Sequence, residues 1–189
     1  MVTVSLPTRA IPGLHTPAVG WEQPFEMLRA CHERVQRSLA LLGRLQAHVA
    51  QHGVDNNAAQ AATDVLRYFD QAAPLHHLDE EEQVFPLALA QGDAAVQNAV
   101  ARLQQEHGAM DAAWQALRAG LQQLAASPPP ARGWSDAWCA GTAVQDFVAL
   151  YADHIALEEN LVYPCVEALL TPVLREAMGR TMARRRGAV

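Results

Sequence analysis

Apolar side chains recur along this chain at helical spacing. Leu28, Val35, Leu39, Leu42 and Leu45 fall at three- and four-residue steps or their sum, giving one apolar face from about Trp21 to His52. The turn residues His52-Gly53-Val54-Asp55-Asn56-Asn57 end that run. The pattern predicts a second helix from about Ala58 to Ala90, closed by Gln91-Gly92-Asp93, and a third from about Ala94 to Ala126. Leu103, Met110, Trp114, Leu117, Leu121 and Leu124 supply the buried face of the third. Ser127-Pro128-Pro129-Pro130-Ala131-Arg132-Gly133 cannot continue a helix, because each proline lacks an amide donor and clashes with the preceding turn. A fourth helix is expected over Trp134–Leu170, and Pro172 opens a short terminal helix over Val173–Arg185. Long helices with short connections predict an all-α fold, an up-down-up-down four-helix bundle. Residues 1–20, with Pro7, Pro12, Pro17, Gly13 and Gly20, are expected to be an irregular lead-in. The bundle takes 21–171, and 172–189 form the short C-terminal helix and a basic tail. Pro86 and Pro164 run against this pattern: each should kink or terminate its helix.

Composition narrows the function. A chain of 189 residues suits one domain with a real core. Net charge is −6, so no basic surface argues for nucleic acid. The run Arg184, Arg185, Arg186 reads as a solvated tail. Neither a secretory signal nor a membrane-spanning apolar stretch is found in the sequence. Cys31, Cys139 and Cys165 form no CxxC pair and suit a reducing compartment, so a cytoplasmic protein is expected.

The candidate chemistry lies in an internal repeat. His76-His77-Leu78-Asp79-Glu80-Glu81-Glu82-Gln83-Val84-Phe85-Pro86 aligns with His154-Ile155-Ala156-Leu157-Glu158-Glu159-Asn160-Leu161-Val162-Tyr163-Pro164, both reading HxxxEExxV, an aromatic, then Pro. Each copy follows a helix with one further histidine: His32 precedes His76 by 44 residues and His107 precedes His154 by 47. Residues four apart share a helix face, so His76 with Glu80, and His154 with Glu158, each offer an imidazole and a carboxylate to a cation between helices.

Heights agree as well. His32 and His76 each lie about 20 residues from the first turn, roughly 30 Å at the helical rise. His76 and His107 each lie about 15 residues from the second, roughly 22 Å, and His107 and His154 about 20 from the third. All four histidines therefore fall in one layer. A lone histidine on an apolar face is usually a hydrogen-bonded core residue, and His76 and His77 beside four acids could by themselves be a solvated face. Two copies plus two histidines at one level fit neither, since six buried polar groups without a metal are costly to desolvate. His77 and Glu81 also satisfy HxxxE, but counting back from Pro86 as from Pro164 selects His76 and sets His77 opposite Ile155, as a packing or supporting residue. His48, His52 and His15 are read as surface or loop histidines.

On these residues the sequence resembles the hemerythrin-like family, the HHE cation-binding domains, with His on the first helix, HxxxE on the second, His on the third and HxxxE on the fourth. The resemblance covers roughly 21–170 and implies a centre of two iron ions, with His32, His76, His107 and His154 as terminal ligands and Glu80 and Glu158 as bridges. Hemerythrin proper carries a fifth histidine and an Asp in its last motif. Here the last acid is Glu158, an arrangement closer to the bacterial iron–sulfur repair proteins of the family, although their small Cys-containing N-terminal domain is not seen. The implied function is binding or reaction with a small oxidant (oxygen, peroxide or nitric oxide); the alternative is an iron reservoir, donor or sensor without turnover. Zinc or manganese suits the same donors. Glu81, Glu106 and Glu159 are candidates to orient imidazoles or relay protons, or else solvated acids.

Overall fold

The computed structural model describes residues 20–126 and 132–188. The expected lead-in before Gly20, with His15, and most of the Pro-rich connection lie outside them. Every regular element among the described residues is helical. Helix α1 spans Pro24–His52 and ends at Gly53, whose φ of 77° is open to a residue without a β-carbon. Helices α2 (Asn56–Arg67), α3 (Ala73–Asp79) and α4 (Phe85–Gln91) form one rod, joined by π-helical turns at Tyr68–Ala72 and Glu80–Val84. Helix α5 runs Ala94–Ala125. Helices α6 (Arg132–Ala140), α7 (Ala143–Ala149), α8 (Ala152–Leu157) and α9 (Tyr163–Leu169) follow, with a third π-turn at Glu158–Val162, and α10 spans Pro172–Arg185.

Local chemistry sets these limits. Asp55 accepts a hydrogen bond from the amide of Ala58, Asp93 from those of Ala95 and Val96, and Thr171 from that of Leu174, so each caps the helix it precedes. The expected fourth helix is not continuous. It breaks at Gly141-Thr142, where Gln46 of α1 donates to the carbonyls of Cys139 and Gly141, and it tightens at Leu150-Tyr151.

Pro86 and Pro164 end nothing. In an α-helix the amide of Phe85 would bond the carbonyl of Glu81; here it bonds that of Glu80, one residue further back. Tyr163 likewise bonds Glu158, and Ala73 bonds Tyr68. A proline (Pro74, Pro86, Pro164) stands directly after each of these three residues. The wide turn supplies the space and the altered carbonyl pattern that a proline ring needs inside a helix.

Two apolar clusters form the core. One gathers Val35, Leu39, Phe69, Met110, Trp114, Phe147 and Ile155 among others; the other gathers Phe25, Leu28, Phe85, Leu103, Tyr163, Val166 and Met182 among others. His32 lies in sequence between Leu28 and Val35, His76 and Glu80 between Ala73 and Val84, and His107 between Leu103 and Met110. His154 and Glu158 precede Val162 in the same way, so the polar residues form a layer between the clusters.

Helix α10 closes the second cluster through Met178 and Met182. Its Gly179 passes so near Trp21 that an added β-carbon would sit 1.7 Å from the Trp21 carbonyl oxygen. Of the arginine run at its end, Arg184 is exposed as expected, but Arg185 and Arg186 are not solvated. Arg185 reaches Asp79 Oδ1 at 2.5 Å and Arg186 reaches Oδ2 at 2.6 Å, and Asp79 is fully buried.

Candidate metal centre

Each π-turn of the repeat starts at the glutamate of HxxxE. Upstream of it the helix is regular, so His76 and Glu80 share a face, as do His154 and Glu158; the four meet His32 from α1 and His107 from α5. All six side chains are buried, and Glu80 and Glu158 are wholly so. The imidazoles pair at centroid distances of 4.8 Å for His32 with His76 and 4.9 Å for His107 with His154.

Both carboxylates lie across these pairs. Glu158 Oε2 is 3.1 Å from His32 Nε2, and its Oε1 is 3.1 Å from His154 Nε2 and 3.9 Å from His107 Nε2. Glu80 Oε1 is 3.3 Å from His76 Nε2, and its Oε2 is 3.5 Å from His107 Nε2. These are approaches of donor atoms without hydrogen-bonding geometry: both oxygens of Glu158, Oε2 of Glu80 and Nε2 of His107 have no hydrogen-bond partner among the described residues. Buried lone pairs left so are costly, and a cation satisfies them together. Two groups of donor atoms could each hold an ion: His32, His76, Glu80 and Glu158 in one, and His107, His154 and Glu158 in the other.

Acid–base state suits the same use. Burial, helped by His32, holds His76 well below the ordinary histidine value, and burial with His154 takes His107 down to about 4. A neutral imidazole is the form that ligates. His154 goes the other way, because Glu158 and Glu106 outweigh its burial. Burial and the neighbouring Glu158 push Glu80 up, whereas His154 and His32 overcome the burial of Glu158 and hold it down.

Around this ring stand the three acids singled out as supports. His32 Nδ1 is 2.7 Å from Glu159, His107 Nδ1 is 3.0 Å from Glu81, and His154 Nδ1 is 2.9 Å from Glu106. His77 stacks on His107 at 4.0 Å, and burial takes it down to about 3. His48 pairs with Asp55 at the end of α1 and His52 is exposed, both away from the centre. Sequence reasoning missed Tyr163. Its hydroxyl donates to Glu80 Oε1 and lies 3.3 Å from His32 Nε2, while its ring stacks on His32 at 5.7 Å. The signal available was the one polar difference between the aromatics of the two copies, Phe85 and Tyr163.

An uncharacterized protein of Haemophilus influenzae (strain ATCC 51907 / DSM 11121 / KW20 / Rd) is 34% identical over 166 residues, 88% of this chain and 91% of that protein. The sequence profile of the hemerythrin HHE cation binding domain matches residues 23–166, a span that contains all six convergent side chains. The chain belongs to the hemerythrin HHE cation-binding domain family.

Proposed function

We propose that this chain holds two iron ions, one in each donor group, and that the pair binds or reduces a small oxidant such as oxygen, peroxide or nitric oxide. The observation that carries the reading is the set of buried polar atoms on Glu80, Glu158 and His107 that have no hydrogen-bond partner among the described residues. Two non-haem irons so held supply open coordination positions and electrons to a diatomic or peroxide. His32, His76, His107 and His154 serve as terminal ligands, and Glu80 and Glu158, each lying across both pairs, as bridges. The order of the two apolar clusters along the chain alternates from rod to rod, which supports an up-down-up-down arrangement of the four ligand-bearing rods.

The chain also limits what reaches the site. A void of about 10 Å³, room for about one water-sized molecule, lies among His32, His76, His154, Tyr68 and Ile155. Ala73, His77 and Tyr151 line this void and also a larger cavity of about 120 Å³ beside Asp70 and Asp111. The inner void is too small for an organic substrate. No helix among the described residues is long and apolar enough to cross a membrane. The three unpaired thiols support a reducing compartment, the cytoplasm.

The alternative, an iron reservoir, donor or sensor, draws on a different observation: His76 Nδ1 has no hydrogen-bond partner among the described residues, which would make its ion easier to release. Elemental analysis of protein purified without added metal, with spectra before and after oxygen, nitric oxide or peroxide meets the reduced form, decides between them. Two irons per chain and a ligand-dependent spectrum are expected. Zinc or manganese in place of iron, or a spectrum indifferent to all three oxidants, overturns the first reading; ready transfer of iron to an apo-acceptor with no oxidant response supports the second.

A further inference from the structure

We infer that the two poles of the centre are unequal, and that the His32–His76 pole holds its ion more weakly because Cys31 stands where the other half of the repeat has Glu106. This rests on the two-ion reading above. The repeat pairs His32 with His107 and His76 with His154. Glu81 and Glu159, each one residue past a bridging glutamate, support His107 and His32 respectively. Glu106, one residue before His107, supports His154. Its counterpart one residue before His32 is Cys31, and the imidazole it would serve is His76. His76 is only 7% exposed, yet its Nδ1 has no hydrogen-bond partner among the described residues.

A carboxylate on the far nitrogen of a ligating imidazole fixes the ring, raises its basicity and offsets cation charge. One pole has two such carboxylates and the other has one. Tyr163 adds to the difference: its hydroxyl engages Glu80 Oε1 and lies beside His32 Nε2, donor atoms of the weaker pole, where Phe85 at the other pole offers none.

The test uses the full chain loaded with cobalt(II), dialysed against graded chelator and read by cobalt per chain and visible spectrum. Two steps of loss are expected, separated by about 10–100-fold in affinity, the effect of one such carboxylate. Repulsion between two cations alone would also separate the steps, so the variants decide. Glu106→Gln should bring the steps together, and Cys31→Glu should move the first towards the second. Loss of both ions in one step, or two steps that Glu106→Gln leaves as far apart, overturns the inequality and leaves the two-ion reading standing. Uptake of one ion that survives His76→Ala bears out the inequality and overturns the two-ion reading. Uptake of one ion that survives His154→Ala overturns both.

Discussion

The two copies of the HxxxE motif share their histidine, paired glutamates, valine and proline and differ in surroundings. In the first, Asp79 precedes Glu80 and is buried against Arg185 and Arg186; in the second, Leu157 precedes Glu158 and packs into the apolar cluster. Upstream, the first copy is preceded by a wide π-turn at Tyr68–Ala72 and the second by a tightened turn at Leu150-Tyr151. The first ends in Phe85 and the second in Tyr163, whose hydroxyl crosses to the carboxylate of the first. A repeat thus fixes the donors in pairs, while the residues beside them make the pairs chemically distinct.

The comparison should break most severely at the two buried glutamates. Glu158 belongs to both donor groups and Glu80 to one. Glu158→Ala is expected to bring bound metal close to zero, and Glu80→Ala to remove chiefly the ion at the His32–His76 pole. Glu82→Ala should leave metal content unchanged, and equal retention across the three would refute this assignment. Next comes the buried Asp79. Asp79→Ala takes from Arg186 its carboxylate and leaves Arg185 only that of the exposed Glu82, although the two arginines are just 18% and 15% exposed. Removing one side of a buried pair costs about 3 kcal/mol, measurable by urea unfolding of metal-free protein, whereas Leu157→Ala should cost less because that residue is only half-buried.

Exchanging the aromatics gives a smaller effect. Tyr163→Phe loses one buried hydrogen bond, about 1 kcal/mol. Phe85→Tyr, its mirror, adds a hydroxyl on the side of Glu158, the repeat counterpart of Glu80, whose two oxygens have no hydrogen-bond partner among the described residues, and should cost no more than Tyr163→Phe; a larger cost in the same urea experiment would count against this pairing of the two aromatics. The smallest concerns Asp70 in the first π-turn, which accepts hydrogen bonds from Arg118 Nε at 2.8 Å and Trp114 Nε1 at 3.0 Å. Arg118, with Trp114, holds this carboxyl below its ordinary value against the opposing effect of burial. Its contribution is therefore present above about pH 4 and lost as pH falls through the lowered folded value. Asp70→Asn should destabilise by about 1 kcal/mol at pH 7, with the deficit shrinking towards pH 3 in parallel denaturation curves.

Much of this was legible in the chain. Helix spacing and caps such as Gly53, Asp55 and Asp93 marked the rods, and repeat alignment on Pro86 and Pro164 separated His76 from His77. Glu81, Glu106 and Glu159 lie against imidazoles as the spacing allowed. The rest depended on contacts between residues far apart in sequence. Nothing local tells Arg185 that Asp79 waits about a hundred residues upstream, and nothing local tells the hydroxyl of Tyr163 that Glu80 faces it. The proline rule failed for a physical reason: it assumes the turn before the proline is α-helical, and here that turn is wider by one residue.

That last feature sets a limit on slippage. An extra residue in a helical turn is in general able to migrate, passed from one turn to the next like a ruck in a carpet, and each step would swing the side chains it overtakes by about 100°. Moved from its place, the ruck at Glu80–Val84 would leave Pro86 in a regular turn, where its ring collides with a carbonyl. The proline works as a pawl. Glu80 and Glu158 should thereby stay aimed inward whether or not a cation is bound, a cage that keeps its shape between loadings.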